Sequence, residues 1–278
     1  MSKCFEVQID DGIGTIRLNR PDAYNAMIAE FWTELPALMT ELDASGEVRA
    51  VILASTGKHF CAGMDLAVFT NPNSGLMGDT SVSETGRQRA NLFETVLRLQ
   101  DSFNVFERVR MPVLSAIQGG CIGGAVDMIC ATDMRYATAD AFFCVQEINI
   151  GMTADVGTLQ RLPKLIPDGV AREWAYTGDR VSAQRAKEVG LVNEIFEDHD
   201  QLIEGVTAIA KRIAAKSPLA IWGTKEQVLY ARDHSVADSL RHMAGWQSGM
   251  FQPADMMEEF GAKAEGRDAS FDPLPKRG

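Results

Sequence analysis

Apolar and polar positions alternate at the start of the chain, interrupted once by a turn. Phe5-Glu6-Val7-Gln8-Ile9-Asp10 and Ile13-Gly14-Thr15-Ile16-Arg17-Leu18 flank Asp11-Gly12, the pattern of a β-hairpin. The period then changes. After Asn19-Arg20-Pro21-Asp22 a helix is expected from about Ala26 to Leu42. Ala50-Val51-Ile52-Leu53-Ala54 and Val113-Leu114-Ser115-Ala116-Ile117 are continuous apolar runs, as expected of strands buried on both faces. Asp133-Met134-Arg135-Tyr136-Ala137 reads as a shorter third strand. Helical spacing fills the intervals, so the alternation of strand and helix predicts an α/β fold.

Residues from about Thr70 to Gly86 are rich in Gly, Ser, Asn and Asp and read as a mobile loop. Beyond Ser182 the spacing turns helical, with segments expected at Ala183–Leu191, His199–Ala215, Pro218–Ala231, Ser235–Gln247 and Pro253–Ala264. Several of these faces are too apolar for an isolated tail and call for a packing partner. The chain therefore divides into an α/β core over 1–198 and a C-terminal helical region over 199–278. There is no internal repeat, and no apolar run approaches the length of a membrane span.

A length of 278 residues allows one substantial core. The net charge of −11 disfavours a nucleic-acid partner, because phosphates are repelled on average, and any anionic ligand needs local lysines or helix N-termini. The five cysteines Cys4, Cys61, Cys121, Cys130 and Cys144 have no metal-ligand spacing, and four lie in apolar segments. No bound metal is expected. An odd cysteine count, an N-terminus without leader character and a C-terminal Lys276-Arg277-Gly278 point to a cytoplasmic address.

Candidate chemistry lies in three acids whose surroundings read as buried: Asp127, Glu147 and Asp155. An unpaired buried carboxylate loses its hydration, so a fold that keeps several beside glycines keeps them for proton transfer. The strand ending near Gly119 runs into Gly120-Cys121-Ile122-Gly123-Gly124, where glycines let a ligand approach the backbone closely. A helix opening near Gly123 leaves amide groups free, and Asp127 follows Gly124 on the same helix face. Phe60-Cys61-Ala62-Gly63-Met64-Asp65-Leu66 offers a second set of donors after the Ala50–Ala54 strand. The four histidines have no metal spacing, and Ser115 lies in no nucleophile-elbow pattern.

His59-Phe60-Cys61-Ala62-Gly63-Met64-Asp65-Leu66 and Gln118-Gly119-Gly120-Cys121-Ile122-Gly123-Gly124-Ala125-Val126-Asp127 resemble the two signature segments of the crotonase (enoyl-CoA hydratase/isomerase) superfamily. Asp127 in Gly-Gly-Ala-Val-Asp, Glu147 in Val-Gln-Glu-Ile-Asn-Ile-Gly, Asp155 in Ala-Asp-Val-Gly-Thr-Leu-Gln-Arg-Leu-Pro and the stretch Arg232-Asp233-His234-Ser235-Val236 narrow the resemblance to the Δ3,5-Δ2,4-dienoyl-CoA isomerase subfamily. Hydratases of the superfamily usually carry Glu in place of Asp127 and Gly in place of Asp155. The resemblance implies a crotonase-type ββα spiral with a C-terminal helical trimerisation region, assembled as a homotrimer or homohexamer. It implies an acyl-CoA thioester substrate bound along Ala62, Gly63, Met64, Asp65, Leu66 and Gly124, its carbonyl held by the N–H groups of Met64 and Gly124. CoA enters as part of that substrate, with no separate cofactor. Lys58 and Lys225 are candidates for its phosphates.

In that subfamily the reaction moves a proton from C2 of a 3,5-dienoyl thioester to C6, so an acid is required at each end of the conjugated system. Glu147 and Asp155 are the expected pair, with Asp127 orienting or polarising one of them. The alternatives are a 2-enoyl-CoA hydratase, a Δ3,Δ2-enoyl-CoA isomerase and a catalytically silent acyl-CoA-binding protein. Neither a nucleic-acid nor a membrane partner is expected.

Overall fold

The computed structural model describes residues 2–70 and 84–277. The hairpin forms as expected: β1 (Phe5–Asp10) and β2 (Ile13–Leu18) are antiparallel, with Asp10 opposite Ile13. The chain continues through α1 (Phe31–Ser45), β3 (Ala50–Ser55), α2 (Ala67–Thr70), α3 (Thr85–Arg108), β4 (Val113–Ile117), β5 (Gly120–Ile122), α4 (Gly124–Cys130), β6 (Met134–Thr138) and β7 (Phe142–Cys144). Then follow α5 (Thr158–Leu165), α6 (Asp168–Thr177), β8 (Val181–Ser182), α7 (Ala183–Glu188), β9 (Glu194–Phe196), α8 (His199–Ala214), α9 (Pro218–Asp233), α10 (Val236–Met250) and α11 (Pro253–Glu265). The stretch 71–83, which holds the body of the loop expected between Thr70 and Gly86, lies outside the described residues.

The larger sheet has the order β1-β2-β3-β4-β6-β9 and is parallel apart from the hairpin, while β5, β7 and β8 form a smaller sheet. Successive turns of the chain add one strand to each sheet, β4 then β5 and β6 then β7. Its central strands β3 and β4 are buried on both faces, as their apolar runs require. In β3, Val51 and Leu53 pack with Phe31, Leu35 and Phe103 of α1 and α3. Ala50, Ile52 and Ala54 point the other way, onto Leu202, Val206 and Ala210 of α8. Helix α8 is thus a layer of the core.

Helix α1 starts at Phe31 rather than near Ala26, because the preceding backbone bonds to a loop. Met27 N–H donates to Gly63 O (2.8 Å), and Asp65 N–H donates to Met27 O (3.0 Å). Helices α10 and α11 leave large apolar side chains uncovered, including Leu240 (66 % exposed) and Phe260 (58 % exposed). Among the described residues no helix is long and apolar enough to cross a membrane.

Candidate active site

Two loops leave the parallel ends of β3 and β4 and are tied to each other. Cys61 and Cys121 form a parallel bridge; Cys61 N–H donates to Gly120 O and Ile122 N–H to Cys61 O, each at 3.1 Å. Gly63 adopts φ +85°, and a Cβ there would stand 2.7 Å from Ile122 O, so only glycine lets the loops approach this closely. The same point lies 3.5 Å from Gly124 N. Among the described residues, the N–H groups of Met64 and Gly124 meet no hydrogen-bond acceptor.

Both groups line a cavity of about 630 Å³. Ala62, Gly63, Asp65 and Leu66 line it too, so the whole expected binding segment faces one space. Glu147 and Asp155 enter the same cavity, and Trp32, Ile150, Met152 and Val156 supply apolar wall. Asp127 does not line it. It lies behind Glu147, fully buried on α4, and accepts a hydrogen bond from Thr158 N–H at the start of α5 (2.6 Å).

The acids differ in environment more than their sequence settings suggest. All three stretches read as buried, yet Asp155 is exposed along the open side of the cavity, and Glu147 is intermediate. Asp127 and Glu147 stand close enough to perturb each other's acidity, and two carboxyl groups so near each other disfavour carrying two charges. Each keeps a buried oxygen without a hydrogen-bond partner, Asp127 Oδ2 and Glu147 Oε2. Burial pushes Asp127 up to about 6, against the Thr158 amide that favours its charged form. Burial pushes Glu147 up to about 8, reinforced by the negative charge of Asp127. Asp155 is raised as well, by partial burial. Both shifts run toward keeping a proton, so near neutrality the Asp127–Glu147 pair favours one proton between its two carboxyl groups.

Lys225 is far from any ligand role. It is buried and donates to Phe106 O (2.6 Å), Met111 O (2.9 Å) and Asp133 Oδ2 (3.0 Å), tying α9 to the core. Lys58 is exposed and does not line the cavity. The cation that does is Arg180, held 4.6 Å above the Phe142 ring. Sequence reasoning missed it, along with Tyr24 and Trp32, since nothing in their local spacing tells that the fold brings them to the cavity.

Comparison with known proteins agrees with this geometry. A family model for enoyl-CoA hydratase/isomerase matches residues 8–273. The mitochondrial Δ(3,5)-Δ(2,4)-dienoyl-CoA isomerase of Homo sapiens is 40% identical over 254 residues, covering 91% of this chain and 76% of that protein. The peroxisomal Δ(3,5)-Δ(2,4)-dienoyl-CoA isomerase of Arabidopsis thaliana is 38% identical over 266 residues, covering 94% and 93%. The crystal structure of a putative enoyl-CoA hydratase from Streptomyces coelicolor A3(2) superposes with a TM-score of 0.86 at 27% identity, covering 98% of this chain and 95% of that one. The mitochondrial and peroxisomal relatives overturn the cytoplasmic address expected from the sequence. Free cysteines and a net negative charge do not choose among compartments. The chain belongs to the enoyl-CoA hydratase/isomerase (crotonase) family and is an isomerase within it.

Proposed function

We propose that the protein converts 3,5-dienoyl-CoA thioesters to 2,4-dienoyl-CoA thioesters by moving a proton from C2 to C6. Loss of the C2 proton gives a dienolate whose charge spreads over the thioester oxygen, C2, C4 and C6. The N–H groups of Met64 and Gly124 receive that oxygen; one such donor is typically worth about 3–4 kcal/mol of barrier. Reprotonation at C2 only reverses the step, whereas protonation at C6 completes the conjugated product. Glu147 and Asp155 serve the two ends of the carbon chain, one as base and the other as acid.

Asp127 acts through Glu147 rather than on substrate. By sharing a proton it keeps Glu147 able to accept or give one near neutrality. The reaction is proton transfer alone, so CoA takes part only as the carrier of the acyl group. Arg180 at the cavity wall supplies positive charge for the anionic part of the substrate. The exposed apolar faces of α10 and α11 carry assembly into a homotrimer or homohexamer, which light scattering on a sizing column would test.

The observation that carries this reading is a third acid, Asp155, lining the same cavity as Glu147, with a charge that acts on both Asp127 and Glu147. A hydratase has no use for that additional station. The test is ultraviolet monitoring of 3,5-octadienoyl-CoA with the pure protein, in parallel with crotonyl-CoA. Appearance of the 2,4-dienoyl chromophore with little hydration of crotonyl-CoA is expected; rapid hydration without the diene shift overturns the proposal.

A further inference from the structure

Asp155 reaches the cavity from an irregular segment, so something other than its own element must fix where its carboxyl stands. Among the described residues it forms no ion pair: burial raises its pKa and its own backbone opposes the rise. The support comes from α3. Gln100, Asn104 and Glu107 lie at helical spacing on one stripe of that helix. Gln100 Nε2 donates to the backbone carbonyl of Asp155 at 2.8 Å. Asn104 Oδ1 accepts from Arg161 Nη2 at 2.7 Å, and Glu107 accepts from Arg161 Nε at 2.9 Å and Nη2 at 3.1 Å. Arg232 of α9 closes on the same Glu107 from the other side, at 2.6 Å. The stripe thus grips the segment at Asp155 and again on α5, and Thr158 between these two points holds Asp127.

We infer that Gln100 is a positioning residue for the isomerisation: its hydrogen bond to the Asp155 carbonyl sets the reach of that carboxyl to its end of the diene. The inference rests on the proposed dienoyl reading. Glu147 is held by other elements, so losing the Gln100 contact should separate the two ends of the reaction. Misplacing a reacting group by about 1 Å costs on the order of 100-fold, and one lost tether should give about 10–100-fold.

Two variants at the half-buried Gln100 test this. Gln100→Met keeps the length of the side chain but has no N–H, and Gln100→Glu sets a carboxylate oxygen against the Asp155 carbonyl. The readouts are kcat and KM for 3,5-octadienoyl-CoA, the melting temperature, and deuterium uptake from D2O into the 3,5- and 2,4-dienoyl thioesters supplied separately. The expected order of kcat is wild type, then Met, then Glu. KM should stay within about twofold, melting should be unchanged, and exchange should persist in the one thioester whose reacting carbon faces Glu147. Wild-type kcat in both variants overturns the inference, and so does a parallel loss of kcat and of exchange in both thioesters. A wild-type protein that leaves the diene unshifted removes the functional reading and this inference together; a wild type that shifts it, with variants that match it, removes the inference alone.

Discussion

Asp127→Asn probes the dyad most directly, because it removes one charge and little else. The amide oxygen can still accept from Thr158 N–H, now 2.6 Å from Asp127 Oδ1, and the new NH2 can donate to Glu147. Glu147 stands at about 8 against an ordinary 4.5. That rise of about 3.5 pH units corresponds to about 5 kcal/mol favouring its neutral form. Burial is the largest cause and survives the substitution, whereas the Asp127 charge is second and does not. The variant should therefore lower the Glu147 pKa by about one to two pH units, leaving it above the ordinary value. The alkaline limb of kcat for the diene shift, which marks loss of the dyad proton, should move down by the same amount. The assay is the ultraviolet rate at saturating 3,5-octadienoyl-CoA from pH 5.5 to 9.5, alongside thermal melting. A limb that stays where the wild type has it would refute the coupling, and with it the role of Asp127.

Asp155→Asn should reduce dienoyl isomerisation by orders of magnitude while acyl-CoA binding, measured calorimetrically, stays within a few-fold; unchanged turnover would exclude Asp155 from the chemistry. Glu147→Gln should abolish turnover yet raise the melting temperature. A carboxyl whose folded pKa lies above its unfolded value makes stability fall as pH rises from about 4 to about 8, so the gain should grow across that window and then level off. A melting difference that shrinks with rising pH would contradict this sign. Lys225→Met strands two carbonyls and a carboxylate and should cost about 3–5 kcal/mol, lowering the melting temperature by about 10 °C; an unaltered melt would show that the buried lysine is dispensable. Gly63→Ala drives a Cβ toward Ile122 O at φ +85° and should lose most of its activity through a rise in both the barrier and KM, with wild-type kinetics as the contrary result.

The sheet was readable because β3 and β4 are apolar at every position, and such runs have few other homes in a folded chain. The smaller sheet was not, since β5, β7 and β8 have two or three residues each and are too short to express a period. The start of α1 was misjudged because Met27 bonds across to Gly63, a contact that no local pattern announces. At the site, the three acids and the glycine segments could be picked out by residue type. Their division of labour could not: that Asp127 sits wholly behind Glu147 while Asp155 stands open depends on which elements the fold lays side by side. Lys225 was misread for the same reason, as its charge is answered by two carbonyls and Asp133 from elsewhere in the chain.

The unengaged amides of Met64 and Gly124 belong to the main chain and are held by the bridges Met27–Met64 and Cys61–Cys121. Short of proline, no side-chain replacement can delete them; it can only bend the loops that carry them. The acids, by contrast, are single-codon features. Evolution can thus swap, add or discard proton carriers around an inherited pair of main-chain donors, retuning the chemistry without having to rebuild the scaffold that presents them.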